Sequence, residues 1–338
     1  MRTRTPTKAI TVRDVAKVAG VSVATVSRVL NGNETVDLAL KDKVTEAAAR
    51  LKYTPHAAAR ALALRTATTV GAVIPTLENA NFAVGVGALQ KRLSAAGYTL
   101  LLGSSNYDPD EELRQIQSLA SHALAGFMLV GSRRDRRVYE LLHMKGIPYV
   151  NTWVRDGGHP SIGFDNEEIG RTAARHLLAL GHTQFAVIAQ NAPNDRAESR
   201  IAGIREELAT RGVVIPPERF VEHPHQIAEG QRALRRLVAL PNPPTAIIAS
   251  DVLAFGALAE AIHLRIDVPG RLSILGIQDI EFAAHLNPPL TAIRLPAEDI
   301  GTHAADVLLA AIAGNAVAQT VPVPHYLIER GSTGPAPK

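Results

Sequence analysis

Ser22, Thr25, Ser27 and Arg28 place three hydroxyls and a guanidinium within seven residues, interleaved with the small apolar Val23 and Ala24. That chemistry suits a polyanion. Hydroxyls and backbone N–H groups hold phosphates, a guanidinium forks onto guanine, and a small apolar side chain touches a thymine methyl. The charge distribution agrees. Residues 1–65 carry twelve Lys and Arg against five Asp and Glu, a net charge of +7, whereas residues 66–338 carry −3. A basic end on a mildly acidic body is the asymmetry of a chain that meets nucleic acid at that end. A solvated basic surface would carry the same charge, so the elements that position these residues must decide.

Thr11-Val12-Arg13-Asp14 has a hydroxyl at an N-cap and a carboxylate three residues on, a capping-box start. Val15, Ala16 and Ala19 then give a short helix one apolar face, and Gly20 supplies the positive φ of a tight turn. Ser22 caps a second helix to about Leu30, with Val26, Val29 and Leu30 on its buried side and Val23, Ala24, Thr25, Ser27 and Arg28 on the other. Asp37 caps a third, where Leu40, Val44, Ala47, Ala48 and Leu51 recur at helical spacing. Two short helices around a glycine turn predict a helix-turn-helix, whose second helix enters the major groove. Any three-helix bundle could share that periodicity. Tyr53-Thr54-Pro55-His56 breaks the third helix, because a residue before proline leaves the α region. Ala57–Leu64 follows as a helix too short to persist unsupported.

These residues resemble the signature of the lactose/galactose repressor (LacI/GalR) family of bacterial transcriptional regulators, which the run Thr11–Asn31 and the segment Tyr53–Leu62 both carry. The resemblance implies an all-α helix-turn-helix DNA-binding domain over 1–54, a hinge helix and linker over 55–68, and a two-lobed α/β domain like the type I periplasmic binding proteins over 69–330. The last eight residues are expected to be a tail. By the same resemblance DNA is contacted by Thr11, Val12, Ser22, Val23, Ala24, Thr25, Ser27, Arg28, Asn31, Tyr53, His56, Ala59 and Leu62, with Leu62 wedging into a minor-groove base step. Two departures stand out. The base-reading positions are the small Val23 and Ala24, which shifts direct readout onto Arg28, and His56 stands where asparagine is usual.

The body alternates strand and helix patterns, as parallel α/β units do. Strands are predicted at Val70–Ile74, Thr99–Leu102, Gly126–Val130, Tyr149–Asn151, Ile162–Phe164, Phe185–Ile188, Ala246–Ser250, Ser273–Gly276 and Leu290–Ile293, with no internal repeat obvious. Nine strands exceed one small sheet. The family resemblance implies two lobes, 69–164 and 165–295, with crossovers near Phe164 and Leu295 and with 296–330 shared between them. Ligands of open α/β sheets sit beyond the carboxyl ends of the strands, here Pro75–Asn81, Ser104–Asn106, Gly131–Ser132, Asn151–Trp153, Ser250–Asp251 and Gln278–Asp279.

Candidate effector residues are therefore Phe82, Asn151, Trp153, Arg200, Ser250, Asp251 and Gln278. Phe82 either stacks on a sugar ring or belongs to a lobe core, and Asp251 either faces the ligand or caps its helix. Arg200, placed at a helix start after the loop 190–198, matches the family arginine that grips the effector, unless it is salt-bridged in its helix. Trp153 and Gln278 stand where sugar-binding members carry aspartates. Losing two anions beside a retained arginine favours a sugar acid or sugar phosphate. Alternatively Trp153 only fills space and a neutral sugar binds.

Other function classes find little support. There is no Gly-x-Ser-x-Gly, no phosphate-binding loop and no His-Glu-x-x-His. Gly85-Val86-Gly87 lacks the third glycine of a dinucleotide loop. The twelve histidines show no metal-ligand spacing, and His223 and His225 flank Pro224 in an expected loop. No cofactor, metal or membrane is expected. With no cysteine, no transmembrane run and no apolar stretch behind Met1–Lys8, the chain is expected to act in the cytoplasm. A transport-type solute-binding protein would share the lobes but not the DNA module. The sequence therefore predicts a transcriptional regulator, a repressor, that binds pseudo-palindromic double-stranded operator DNA as a homodimer and is switched allosterically by a small sugar-like effector.

Overall fold

Thr11 opens the first helix, α1 (Val12–Ala19), with its N–H and Oγ1 both donating to Asp14 Oδ2 at 2.8 Å. These and the following contacts come from a computed structural model, which describes residues 10–30, 36–53, 67–191 and 194–338. Gly20, with φ 66°, turns the chain into α2 (Val23–Leu30), where Ser22 Oγ accepts from Thr25 N at 3.0 Å. Asp37 caps α3 (Leu38–Arg50) by accepting from Ala39 N at 2.8 Å. Val15, Val26 and Val44 are fully buried where the three helices meet. Each such aliphatic contributes about 1.5–3 kcal/mol of burial. The predicted hinge positions His56, Ala59 and Leu62, and Asn31, lie outside the described residues.

The chain divides into two compact units, Met1–Thr68 and Thr69–Lys338. The second holds two six-stranded sheets. The first contains β1 (Thr69–Ile74), β2 (Thr99–Ser104), β3 (Gly126–Val130), β4 (Tyr149–Thr152), β5 (Ser161–Gly163) and β11 (Thr320–Pro322), in the order β11-β5-β4-β3-β1-β2 and parallel throughout. The second contains β6 (Phe185–Gln190), β7 (Phe220–His223), β8 (Ala246–Ser250), β9 (Ser273–Ile277), β10 (Thr291–Arg294) and β12 (Tyr326–Ile328), ordered β12-β10-β9-β8-β6-β7, with only β12 antiparallel. Leaving out the last strand of each, both sheets have the same order, a 2-1-3-4-5 arrangement that reverses between its first and third strands. The lobes thus repeat in architecture where the sequence shows no repeat. Among the described residues twelve strands replace the nine expected. β7, β11 and β12 escaped because they are short edge strands without a continuous apolar run.

Helices cover both sheets. In lobe one they are α4 (Ala80–Ala95), α5 (Pro109–Ala120), α6 (Arg136–Met144) and, returning late in the chain, α11 (Ala297–Ile312). Lobe two has α7 (Asn166–Ala179), α8 (Asp195–Ala209), α9 (Ile227–Val238) and α10 (Asp251–His263). Three helix pairs approach through glycine. A methyl on Gly170 or Gly203 would strike the backbone across α7 and α8, one on Gly230 or Gly256 would do so across α9 and α10, and one on Gly301 would strike α4. The polypeptide passes between lobes three times, after β5, after β10 and between β11 and β12. Among the described residues no helix is long and apolar enough to cross a membrane.

The expected tail is not one. Ser332 is fully buried and its Oγ donates to Ile274 O at 2.6 Å while accepting from Thr291 N at 2.8 Å. His182 contacts Thr245 Oγ1, Ser273 Oγ and Gly334 O at 2.9–3.1 Å, and Thr333 reaches His176. Small polar residues gave no apolar signal, but they satisfy polar groups at the starts of the interior strands β9 and β10. Burial lowers the pKa values of His176, His182 and His325 from the ordinary 6.5. The unfolded chain therefore binds more protons than the folded one below pH 6.5, and stability falls as pH drops from there toward the folded values. The Tm is expected to decline between pH 7 and 5.5, with a shallower slope in His182→Gln, measured by thermal denaturation.

Candidate functional site

On α2 the exposed face carries Val23 (43% exposed), Ala24 and Arg28, opposite the buried Val26. Thr25 and Ser27 flank that face half-buried, and Thr25 Oγ1 bonds Ser22 Oγ at 2.9 Å. Capping thus consumes part of the hydroxyl chemistry and presents the rest at the helix start. Val12 and Tyr53 sit half-buried against the headpiece core, Tyr53 through its N–H to Ala48 O as well. Only their outer edges remain for a partner. The arrangement offers one guanidinium and two small apolar side chains to base edges, with phosphate-binding groups around them.

Between the lobes lies a pocket, partly open to solvent, whose walls come from both lobes. Lobe one contributes Phe82 from α4, Tyr107 beyond β2 and Trp153 beyond β4. Lobe two contributes Gln190, Arg196 and Arg200, then His225, Ser250 and Gln278. Phe82 meets the Trp153 indole edge-to-face with centroids 5.1 Å apart. Trp153 takes φ 61°, which swings its ring over Gly85, where a Cβ would lie 2.7 Å from the indole. That is why Gly85 is glycine: it accommodates an aromatic wall rather than a phosphate.

Five of the seven expected residues line the pocket: Phe82, Trp153, Arg200, Ser250 and Gln278. Two do not. Asn151 turns its amide instead to Tyr139 Oη (3.0 Å) and Asp156 (3.3 Å). Asp251, 1% exposed, accepts from His225 Nε2 at 3.0 Å, so it stands behind a lining residue. Asp279 is likewise withdrawn, bound by Arg294 and Arg330. Arg200 is not at a helix start. The helix begins at Asp195, with Asn194 accepting from Ala197 N, and Arg200 is in its second turn.

Sequence reasoning missed Arg196, Tyr107 and His225. Arg196 lies four residues before Arg200, on one helix face, and that spacing was the available signal. His225 was hidden because β7 was not recognised. Among the described residues, no Asp or Glu lines the pocket. Arg196 pairs with Asp195 at 2.9 Å. Among the described residues, Arg200 donates to the neutral Asn166 Oδ1, at 2.9 Å. Burial, with the nearby Arg196 cation, pulls its pKa down to about 10. It stays charged near neutrality and short of a counter-ion. Trp153 Nε1, Ser250 Oγ and Gln278 Oε1 are buried with no hydrogen-bond partner among the described residues. Such groups are costly unless a ligand or water satisfies them.

A helical headpiece joined to a pair of lobes that repeat one strand order, with a pocket between them, defines a class of ligand-sensing DNA-binding proteins, and similarity to known proteins agrees. Residues 11–56 match bacterial regulatory proteins of the lacI family, and residues 174–333 match a periplasmic binding protein-like domain. The HTH-type transcriptional regulator GntR of Pseudomonas aeruginosa is 34% identical over 311 residues, spanning 91% of this chain and 90% of that one. The ribose operon repressor of Escherichia coli is 30% identical over 329 residues, covering 95% and 99%. The crystal structure of the Lac repressor dimer bound to operator and the anti-inducer ONPF superposes with a TM-score of 0.86 at 27% identity, covering 97% and 100%. The chain belongs to the lacI family of bacterial regulatory proteins. It is a DNA-binding transcriptional regulator and not an enzyme.

Proposed function

We propose that this chain is a homodimeric repressor that binds a pseudo-palindromic operator and whose DNA affinity is set by a small anionic sugar-like ligand, a sugar acid or sugar phosphate, in the interlobe pocket. The observation that carries the ligand class is Arg200, a half-buried cation whose hydrogen bond goes to a neutral amide, in a pocket lined by no acid among the described residues. A ligand carboxylate or phosphate completes that pairing bidentately. Hydroxyls on the ligand suit Ser250 Oγ and Gln278 Oε1, and the Trp153 indole N–H suits a ligand acceptor. The pocket spans two lobes, so a ligand that prefers one lobe arrangement shifts the population of the other, and operator affinity changes by that difference.

The test is a thermal-shift screen of the full chain with neutral sugars, sugar acids, sugar phosphates and nucleobases, read also by the fluorescence of Trp153, the single tryptophan. Acids or phosphates are expected to stabilise the protein and to alter operator binding. A neutral hexose that binds better than its acid and phosphate would sink the anionic reading. On the DNA side, selection of operator sequences by Arg28→Ala should relax preference at one position of each half-site, at a cost of about 1–3 kcal/mol. Unchanged preference would remove Arg28 from base readout.

A further inference from the structure

The two lobes are tied by a contact that the ligand reading does not need. Asp195, the first residue of α8 in lobe two, accepts at Oδ2 from Ser132 N (2.7 Å), Arg133 N (3.0 Å) and Ser132 Oγ (3.2 Å), all on the loop after β3 in lobe one. Successive backbone N–H groups converging on one oxygen form an anion-binding concavity, and its occupant here is a side chain from the other lobe. The other oxygen, Oδ1, accepts from the Arg196 guanidinium at 2.9 Å. Gly131 precedes this concavity with φ 80°, and a methyl there would strike the Arg196 guanidinium. The loop is therefore shaped for close approach by α8. Asp195 itself does not line the pocket.

We infer that Asp195 is a positioning residue that ties the two lobes together across the pocket and at the same time orients Arg196 toward it. The neighbouring Arg133–Glu198 pair also spans the lobes, at 2.5 Å, but both side chains are more than half exposed, at 56% and 54%. Exposed pairs are screened and contribute little. The half-buried carboxylate with three charge-assisted hydrogen bonds to lobe one is the dominant tie. Because this tie is made within the chain and not through a ligand, it acts alike on ligands of every charge. Loss of the tie lowers apparent affinity for all of them by the fraction of molecules that open.

The experiment uses the full-length, ligand-free chain, so its outcome is independent of the anionic reading. Trp153 is 3% exposed in the pocket shared by the lobes, and no other tryptophan contributes signal. In Asp195→Ala, acrylamide quenching of Trp153 is expected to rise several-fold, and hydrogen exchange at the Ser132 and Arg133 amides is expected to speed up while β3 and α6 stay protected. Asp195→Asn keeps an acceptor for those amides but turns an amide toward Arg196, so an intermediate effect is expected. It carries the test if the alanine variant does not fold by circular dichroism. Trp153 remaining as shielded as in the unaltered chain would overturn the inference, as would exchange that rises uniformly across lobe one.

Discussion

Arg200→Ala is expected to weaken binding of an acidic or phosphorylated sugar by about 3 kcal/mol, roughly 100-fold, while leaving a neutral analogue nearly unaffected. Truncating one partner of a buried, hydrogen-bonded charge pair costs about 2–5 kcal/mol, much of it from stranding the other charge. In the ligand-free protein the same change removes only the bond from Arg200 to Asn166 Oδ1, about 1 kcal/mol. It also removes a partly desolvated cation that lies near the Arg196 cation. The loss should therefore concentrate in ligand binding rather than in stability. Arg200→Lys keeps the charge but not the planar fork, and an affinity between the two is expected. Isothermal titration with a matched acid and neutral sugar checks the ratio. Equal losses for both would mean that Arg200 shapes the pocket instead of pairing with an anion. In an operator-binding assay the alanine variant should no longer respond to the acid at concentrations that saturate the unaltered protein.

The largest stability effect is expected from Gly203→Ala. The added Cβ would sit 2.9 Å from Glu167 Cα and closer still to its carbonyl, so backbone must move on both helices. Overpacking typically costs about 1–3 kcal/mol, and a clash with main chain on both sides belongs at the upper end. At about 2–4 °C per kcal/mol for a domain of this size, the Tm should fall by roughly 10 °C. Gly87→Ala supplies the contrast. Gly87 lies on the exposed side of α4 with nothing within 4 Å of a Cβ, and alanine there should stabilise by up to about 1 kcal/mol. Differential scanning calorimetry of the two variants separates the effects. If both shifted Tm alike, helix propensity alone would explain them.

Much of this molecule is legible in its sequence. The headpiece helices could be read because caps and glycine turns act within four residues, and Thr11, Gly20, Ser22 and Asp37 sit where the structure starts or turns a helix. Central strands could be read because burial on both faces leaves continuous apolar runs such as Gly126–Val130. Of the four edge strands only β2, with its apolar run Leu100–Leu102, could be read; β7, β11 and β12 are too short and too polar. The pocket was half legible. A strand's carboxyl end marks the right neighbourhood, yet which way each side chain turns is a tertiary outcome. Asn151 and Trp153 are two residues apart, and only the second reaches the cleft, because its left-handed backbone rotates the indole. Asp195 gave no signal, as its closest partners in the other lobe are backbone groups 62 and 63 positions away, and backbone groups carry no residue identity.

Three separate passages of the chain link the lobes, after β5, after β10 and between β11 and β12. One linker would let the halves swivel, slide and twist. Three side by side resist sliding and twisting and leave bending as the soft direction. Whatever enters the pocket can then be registered only as an angle. A mechanism with one degree of freedom separates what is sensed from what is signalled. The pocket lining can be rewritten residue by residue for a different ligand while the output to the DNA-reading end remains the same movement.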